Sequence, residues 1–174
     1  MRLLGRKFLV LLFLFFSHNS EALELTFQGA YVPSIRFISA SGQNDYYDGF
    51  GYGAKLSVSG GNFNEFYLSY LFTKQVSNYE DITPGPTYSN DQIIGIGMRR
   101  YLADGLRAFL QFEANSVFSN TFDSPKFGGS LGGGFSWMLS RSMSIGFTTL
   151  YGFIYYSEMH RRTLRQSVDL GIKF

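Results

Sequence analysis

From residue 23 onward apolar residues recur at every second position, the period of a β-strand rather than of a helix. In the first segment Leu23, Leu25, Phe27 and Tyr31 share one face, and Glu24, Thr26 and Gln28 share the other. The second sets Phe50, Tyr52, Ala54, Leu56 and Val58 against Gly51, Gly53, Lys55, Ser57 and Ser59. The third sets Phe66, Leu68, Tyr70 and Phe72 against a mixed face of Glu65, Tyr67, Ser69, Leu71 and Thr73. In the fourth, Ile94, Ile96 and Met98 oppose Gly95, Gly97 and Arg99; in the fifth, Leu110, Phe112, Ala114 and Phe118 oppose Gln111, Glu113 and Asn115. The sixth opposes Leu131, Phe135, Trp137 and Leu139 to Ser130, Gly132, Gly134 and Ser136. The seventh opposes Ile145, Phe147, Tyr151, Phe153 and Tyr155 to Ser144, Gly146, Thr148 and Gly152. The eighth is the cleanest, with Leu164, Val168, Leu170, Ile172 and Phe174 against Arg165, Ser167, Asp169, Gly171 and Lys173. Eight strands of roughly ten residues suit tilted membrane crossings.

The connections support the same reading, because they alternate in length. Short turns fall at 60–62, 104–106 and 140–142, and longer ones at 32–47, 75–91, 119–126 and 157–162. Membrane barrels keep short turns on the periplasmic side and longer loops outside, so both chain ends belong on the short-turn side. The expected architecture is an all-β, eight-stranded, antiparallel up-and-down transmembrane barrel.

The charges decide which face meets lipid. Glu24, Lys55, Glu65, Arg99, Glu113, Arg165, Asp169 and Lys173 all lie on the polar faces. Set against hydrocarbon near the midplane, charges cost up to a few kcal/mol each, so these eight are expected inside as a self-pairing network. With a three-residue turn at 104–106, Arg99 sits opposite Gln111 and diagonal to Glu113, within reach of an ion pair. Glu24 and Lys173 lie near the periplasmic ends of the first and last strands and are expected to pair on closure. The inward glycines at 51 and 53, 95 and 97, and 132 and 134 leave room for long neighbours. An eight-stranded bore is about wide enough to be filled by side chains.

Composition adds the route and removes some functions. Arg2, Arg6 and Lys7 precede the nine-residue apolar run 8–16, then a polar stretch ends at Ala22. This is the order of a secretory signal peptide, and the run is about half of what a helix needs to cross a bilayer. Residues 1–22 are therefore read as a cleaved signal and 23–174 as the barrel. Cleavage takes three of the fifteen basic residues and Glu21 from the thirteen acids, leaving twelve of each. The sequence pI of 8.8 thus belongs largely to the leader and gives no support to a nucleic-acid partner. The absence of cysteine excludes a disulfide framework and a thiolate metal site. An aromatic share of 18% with 20 glycines suits a barrel facing lipid.

These residues resemble the small eight-stranded outer-membrane barrels of Gram-negative cells, the OmpA-like, OmpX-like and OmpW-like superfamily, over the whole of 23–174. The most specific element is 168–174, where Val168, Leu170, Ile172 and the terminal Phe174 look like the C-terminal signal such proteins present to the barrel-assembly machinery. The resemblance implies assembly by that machinery, a place in the outer membrane among its lipids and lipopolysaccharide, and an inward ion-pair network. It implies no single activity, because such barrels include anchors, adhesins, small-molecule pores and lipid-modifying enzymes. By analogy, Arg99, Glu113 and Asp169 form either a structural set or a polar gate.

Candidate chemistry outside the barrel wall is sparse. His160, with Ser157 and Glu158, suggests a hydrolase, but three groups crowded into one short loop cannot easily align as nucleophile, base and orienting acid. Arg36, Lys126, Arg161 and Arg162 on outer loops are candidate lipopolysaccharide contacts, since guanidinium groups bind phosphate well. Glu80, Asp81 and Asp91 lack the spacing of a calcium loop, and 83–86 reads as a turn. The glycine-rich 127–134 has no following helix to bind phosphate. No cofactor or metal is expected. The leading expectation is a non-enzymatic barrel whose outer loops serve surface contact or membrane integrity, its surface partner unspecified. A narrow channel for ions or small apolar solutes, and an outer-membrane lipid enzyme, are the alternatives. The rival fold is a soluble lipocalin-like barrel, which would hold the apolar face inside.

Overall fold

The computed structural model describes residues 23–38, 43–60, 63–77, 88–102, 107–120, 124–156 and 159–174. The signal-peptide assignment for 1–22, Glu80, Asp81, the turn at 83–86, the 104–106 turn, Ser157 and Glu158 lie outside these residues. The described residues form nine strands: β1 (Leu23–Tyr31), β2 (Ser34–Ile38), β3 (Gln43–Ser59), β4 (Asn64–Ser77), β5 (Tyr88–Tyr101), β6 (Ala108–Ser119), β7 (Lys126–Met138), β8 (Met143–Tyr156) and β9 (Met159–Lys173). All pair antiparallel, and β1 and β2 each pair with both β3 and β9. They are two halves of one wall strand, interrupted where Pro33 offers no N–H to the ladder. The result is a closed eight-stranded barrel.

The register fixes the shape of the barrel. Stepping across the pairings, Glu24 leads to Ser57, Tyr67, Gly97, Glu113, Ser130, Gly152 and Thr163, and returns to the first wall strand at Ser34. The wall closes with a stagger from position 24 to position 34, which for eight strands corresponds to a tilt of about 40°. Closure is completed where the Phe174 N–H donates to the Leu23 carbonyl at 2.9 Å.

The alternation places the side chains as expected. Phe50, Ile96, Phe127, Trp137 and Tyr155 are more than half exposed on the outside, whereas Lys55, Thr73, Gln111 and Thr148 are buried inside. The mixed face of the third segment is settled too, with Glu65, Tyr67, Ser69, Leu71 and Thr73 all buried. A soluble lipocalin-like barrel is excluded by this inversion. Its apolar face would be inside, whereas here that face forms an outer belt, as a bilayer core requires.

The outer connections differ from expectation. The described residues of 32–47, 75–91 and 157–162 are strand except at 32 and 33: β2 and β3 take up most of those in the first, β4 runs to Ser77 and β5 starts at Tyr88, and β9 starts at Met159. These strands continue past the apolar belt. Their inner faces there are polar but buried, as at Ser34, Gln75, Ser89 and Asp91, so a polar stretch that reads as loop is wall. Only 119–126 keeps the expected extent, between β6 and β7.

The glycines have two distinct uses. A Cβ at Gly97 would meet the Tyr67 ring, so that glycine admits a long neighbour, whereas a Cβ at Gly132 would meet the backbone carbonyl of Thr149. At Gly132 the absent side chain lets β7 and β8 approach closely on the concave face. Gly29 faces outward with nothing nearby. Gly132→Val should therefore lose the compact, heat-modifiable band on a detergent gel, with an overpacking cost of at least about 1–3 kcal/mol. Gly29→Val should keep it, and equal loss in both variants would refute the close-approach account.

Candidate functional site

The barrel interior gathers the chemistry-bearing residues, and it is layered along the axis. At the periplasmic end Glu24 accepts from the Ser144 hydroxyl at 2.7 Å and pairs with Lys173 at 3.6 Å, the pair expected from closure. Glu65 accepts from the Tyr101 hydroxyl at 2.7 Å and lies 3.6 Å from Arg99.

Above this, Asp169 is a hub. Its Oδ2 receives Lys55 Nζ at 2.8 Å, Arg99 Nη2 at 2.8 Å and the Thr148 hydroxyl at 3.1 Å. The Arg99 Nε donates to Gln111 at 2.7 Å, and its guanidinium lies over the rings of Phe109 and Tyr67. Arg99 does stand opposite Gln111 as expected, but it pairs with Glu65 and Asp169, not with Glu113. Glu113 instead receives Arg165 at 2.8 Å, with the hydroxyls of Tyr67 and Ser69 at 3.2 and 3.3 Å. In a narrow bore, long side chains reach across the lumen as well as along the wall: Glu65 meets Arg99 directly across β4 and β5, whereas Asp169 and Glu113 take their cations from strands that are not their neighbours. All eight expected network residues thus point inward and enter ion pairs.

An apolar belt follows, in which Ala30, Val32 and Leu71 pack together with Ile93. The inward Val117, Leu150 and Ile154 are buried near the same level. Beyond it lies a second charged layer that the loop reading concealed. Arg161 is 2% exposed and points into the barrel, so its assignment as a lipopolysaccharide contact is corrected. Its Nη1 pairs with Asp91 at 2.8 Å, its other nitrogens donate to Ser34 and Gln75, and its guanidinium lies over Tyr47. Asp91, read as a loop acid, is likewise inside on β5 and accepts from the Ser89 hydroxyl at 2.8 Å.

Alternation would have found this layer. Arg165, Thr163 and Arg161 share a parity, so Arg161 had to face inward once β9 was extended below residue 164. By the same parity Arg162 faces outward and is exposed. Lys126 opens β7, with its Nζ donating to Ser124 at 3.1 Å. Arg36 is on β2 opposite Arg161 and Asp45, its side chain outside the described set. His160 is on β9, paired with Phe37 and Tyr155, and not in a loop. Among the described residues no group of three His, Asp or Glu side chains is arranged to hold a metal ion.

Removing one member of a buried, multiply paired ion set leaves its partners uncompensated in a low-dielectric interior. Asp169→Asn should therefore cost about 3–5 kcal/mol, measured by urea unfolding in lipid vesicles. Lys173→Ala, at a wetter pair where Lys173 is 26% exposed, should cost no more than about 1 kcal/mol. Comparable losses would overturn the hub assignment.

No protein-family model matches the chain, and no curated protein matches it in sequence. Solved structures do match. Neisserial surface protein A superposes with a TM-score of 0.60 at 17% identity, covering 88% of this chain and 99% of that protein. Ail, the attachment invasion locus protein of Yersinia pestis, superposes with a TM-score of 0.53 at 10% identity, covering 86% of this chain and 98% of Ail. At these identities the likeness is one of fold. With its charges sealed inside, its apolar belt outside and its wall closed at eight strands, the chain has the fold of the small integral outer-membrane β-barrels.

Proposed function

We propose that the protein is a non-enzymatic outer-membrane barrel whose work is done on its outward-facing end, in surface contact or in the integrity of the membrane. The observation that carries this reading is the stacking of two buried ion-pair layers around an apolar belt. A solute entering from outside meets Arg161 and Asp91, then Val32, Leu71 and Ile93, then the Glu113 and Asp169 clusters. The space between the outer layer and Arg165 is a cavity of about 20 Å³, on the scale of one water molecule. Passage through such a bore requires breaking buried ion pairs at both levels.

The outer end has the material for contact instead. The wall strands project beyond the apolar belt there, and Tyr46, Tyr88 and Tyr155 are exposed on that projection. Aromatic side chains with a polar tip suit both the membrane interface and protein contact. Neisserial surface protein A is a surface protein by name, and Ail is named an attachment invasion locus protein. The reading for this chain rests on its own filled interior.

Planar-bilayer recording on the refolded protein tests it. The wild type should show no reproducible unitary conductance, and Arg161→Ala should stay silent because the belt and the lower layer remain. Steady unitary currents from the wild type would replace this reading with a channel. Incubation with lipopolysaccharide followed by lipid mass spectrometry should leave the acyl pattern unchanged, and a changed pattern would establish an enzyme.

A further inference from the structure

The apolar belt carries a polar side chain where hydrocarbon should meet it. In the outward row of β9, Gln166 lies between Leu164 and Val168 and is exposed. In the outward row of β8, Thr149 lies between Phe147 and Tyr151. Gln166 and Thr149 are paired across the two strands, so an amide and a hydroxyl stand side by side on the lipid face.

The depth of this pair follows from the register. Outward Asp48, Lys74 and Arg162 mark the outer edge of the belt, the headgroup boundary, and outward Arg100, 3.5 Å from Asn64, marks the periplasmic edge. With the closing stagger included, Gln166 lies about midway between these edges. Thr149 and Gly29, on the strands to either side, stand at nearly the same depth. Arg162, the nearest of these markers on β9, is about 13 Å away at the strand rise of about 3.3 Å per residue. A glutamine side chain cannot span that distance, so headgroups and water are out of its reach. Hydrocarbon offers it no partner, and the inner ion-pair network is behind the sheet. The amide has two N–H donors and a carbonyl with two lone pairs, more than the one Thr149 hydroxyl can satisfy.

We infer that the face formed by β8, β9 and β1 around Gln166 is a two-fold interface with a second copy of this chain. The inference rests on the outer-membrane reading of the fold. Both copies insert in the same direction, so a two-fold axis between them runs along the membrane normal and each residue meets one at its own depth. A group close to the axis therefore meets itself. Two lysines or two carboxylates would repel there, whereas two primary amides can each donate an N–H to the other's carbonyl and close a reciprocal pair. The Thr149 hydroxyl oxygen, at the same depth, can accept a remaining amide N–H. Gly29 lets the two walls approach, because a Cβ built there has nothing within 4 Å. Tyr52, paired with Gly29, and Tyr31, paired with Gln166, flank that open space with exposed rings that a partner would cover. Acyl chains can cover the rings but leave the amide unpaired. A second copy supplies both a donor and an acceptor at the required depth by symmetry alone.

Energy transfer in vesicles tests the assignment. The chain has no cysteine, so Ser124→Cys, at an exposed outer position, takes one donor or one acceptor fluorophore and serves as the parent of every variant. Donor- and acceptor-labelled protein is refolded together into phosphatidylcholine vesicles and diluted stepwise with lipid. The parent should associate, with transfer rising linearly with acceptor fraction, as it does for a dimer. Gln166→Leu should need a protein-to-lipid ratio about tenfold higher for half association, the scale of hydrogen bonds between polar side chains of membrane segments. Gln92→Leu, the same change at an exposed outward glutamine close to the outer edge of the belt, should associate like the parent. Transfer in the parent no greater than random mixing gives, a curved dependence on acceptor fraction, equal association of parent and Gln166→Leu, or equal weakening by both variants overturns the interface. Heat-modifiable migration of each variant reports separately on the fold. Gln166→Leu makes the lipid face more apolar and should fold; failure to fold would assign the amide to the barrel itself and also overturn the interface. A folded, inserted parent that stays monomeric refutes the interface alone, whereas a parent that does not insert into vesicles refutes the outer-membrane reading beneath it.

Discussion

A closed wall of eight strands leaves a bore so narrow that any charge inside must find its partner there, and this constraint organises the whole molecule. Lys55, Arg99, Glu113, Arg165 and Asp169 are each no more than 5% exposed. None has bulk water to fall back on, and the alternative face is hydrocarbon. A slip of one residue in any pairing would turn a whole row outward, sending Lys55 or Glu113 into lipid and a phenylalanine into the charged centre. Register, stagger and interior electrostatics are thus one problem with one solution. That the Asp169 hub draws on β3, β5, β8 and β9 shows how the solution is distributed over the wall.

The alternation itself was legible from the sequence, because a strand with lipid on one side and buried polar groups on the other writes its period directly into residue type. Leu164 to Phe174 against Arg165 to Lys173 needs no structure to interpret. Two things escaped. Beyond the apolar belt the outer face mixes Asp48, Lys74 and Arg162 with Ile35, Tyr46 and Tyr88, so contrast between the faces weakens although strand persists, and Arg161 and Asp91 were read as loop. The pairing of charges escaped for a different reason. Arg99 and Glu113 are near in register, but Glu113 meets Arg165 across the lumen, and lumenal proximity depends on the closing stagger. That quantity belongs to the complete circuit of pairings and to no single strand.

Adjacent Arg161 and Arg162 show how much a single parity decides. Two identical side chains, one residue apart, have opposite roles: one is clamped between Asp91, Ser34 and Gln75, the other is exposed on the outer face. The clamp ties β9 to β5, β2 and β4 at the height where the belt ends. It therefore stiffens the wall at that height, with Arg161 inside and Arg162 outside the same strand.

Pro33 connects the two sides of that wall. Facing outward between β1 and β2, it cannot donate across to β9, although its carbonyl still accepts from the Leu164 N–H at 2.9 Å. The ladder is thinned on one side only, and Val32 next to it still donates to the Gly49 carbonyl at 2.8 Å. In the middle of the belt such a gap would expose an unpaired carbonyl to hydrocarbon at a cost of several kcal/mol. At the headgroup boundary water and lipid polar groups are at hand to satisfy it. The proline is tolerated because of where the stagger places it, and the flat ring it presents becomes part of the surface that faces the outer leaflet.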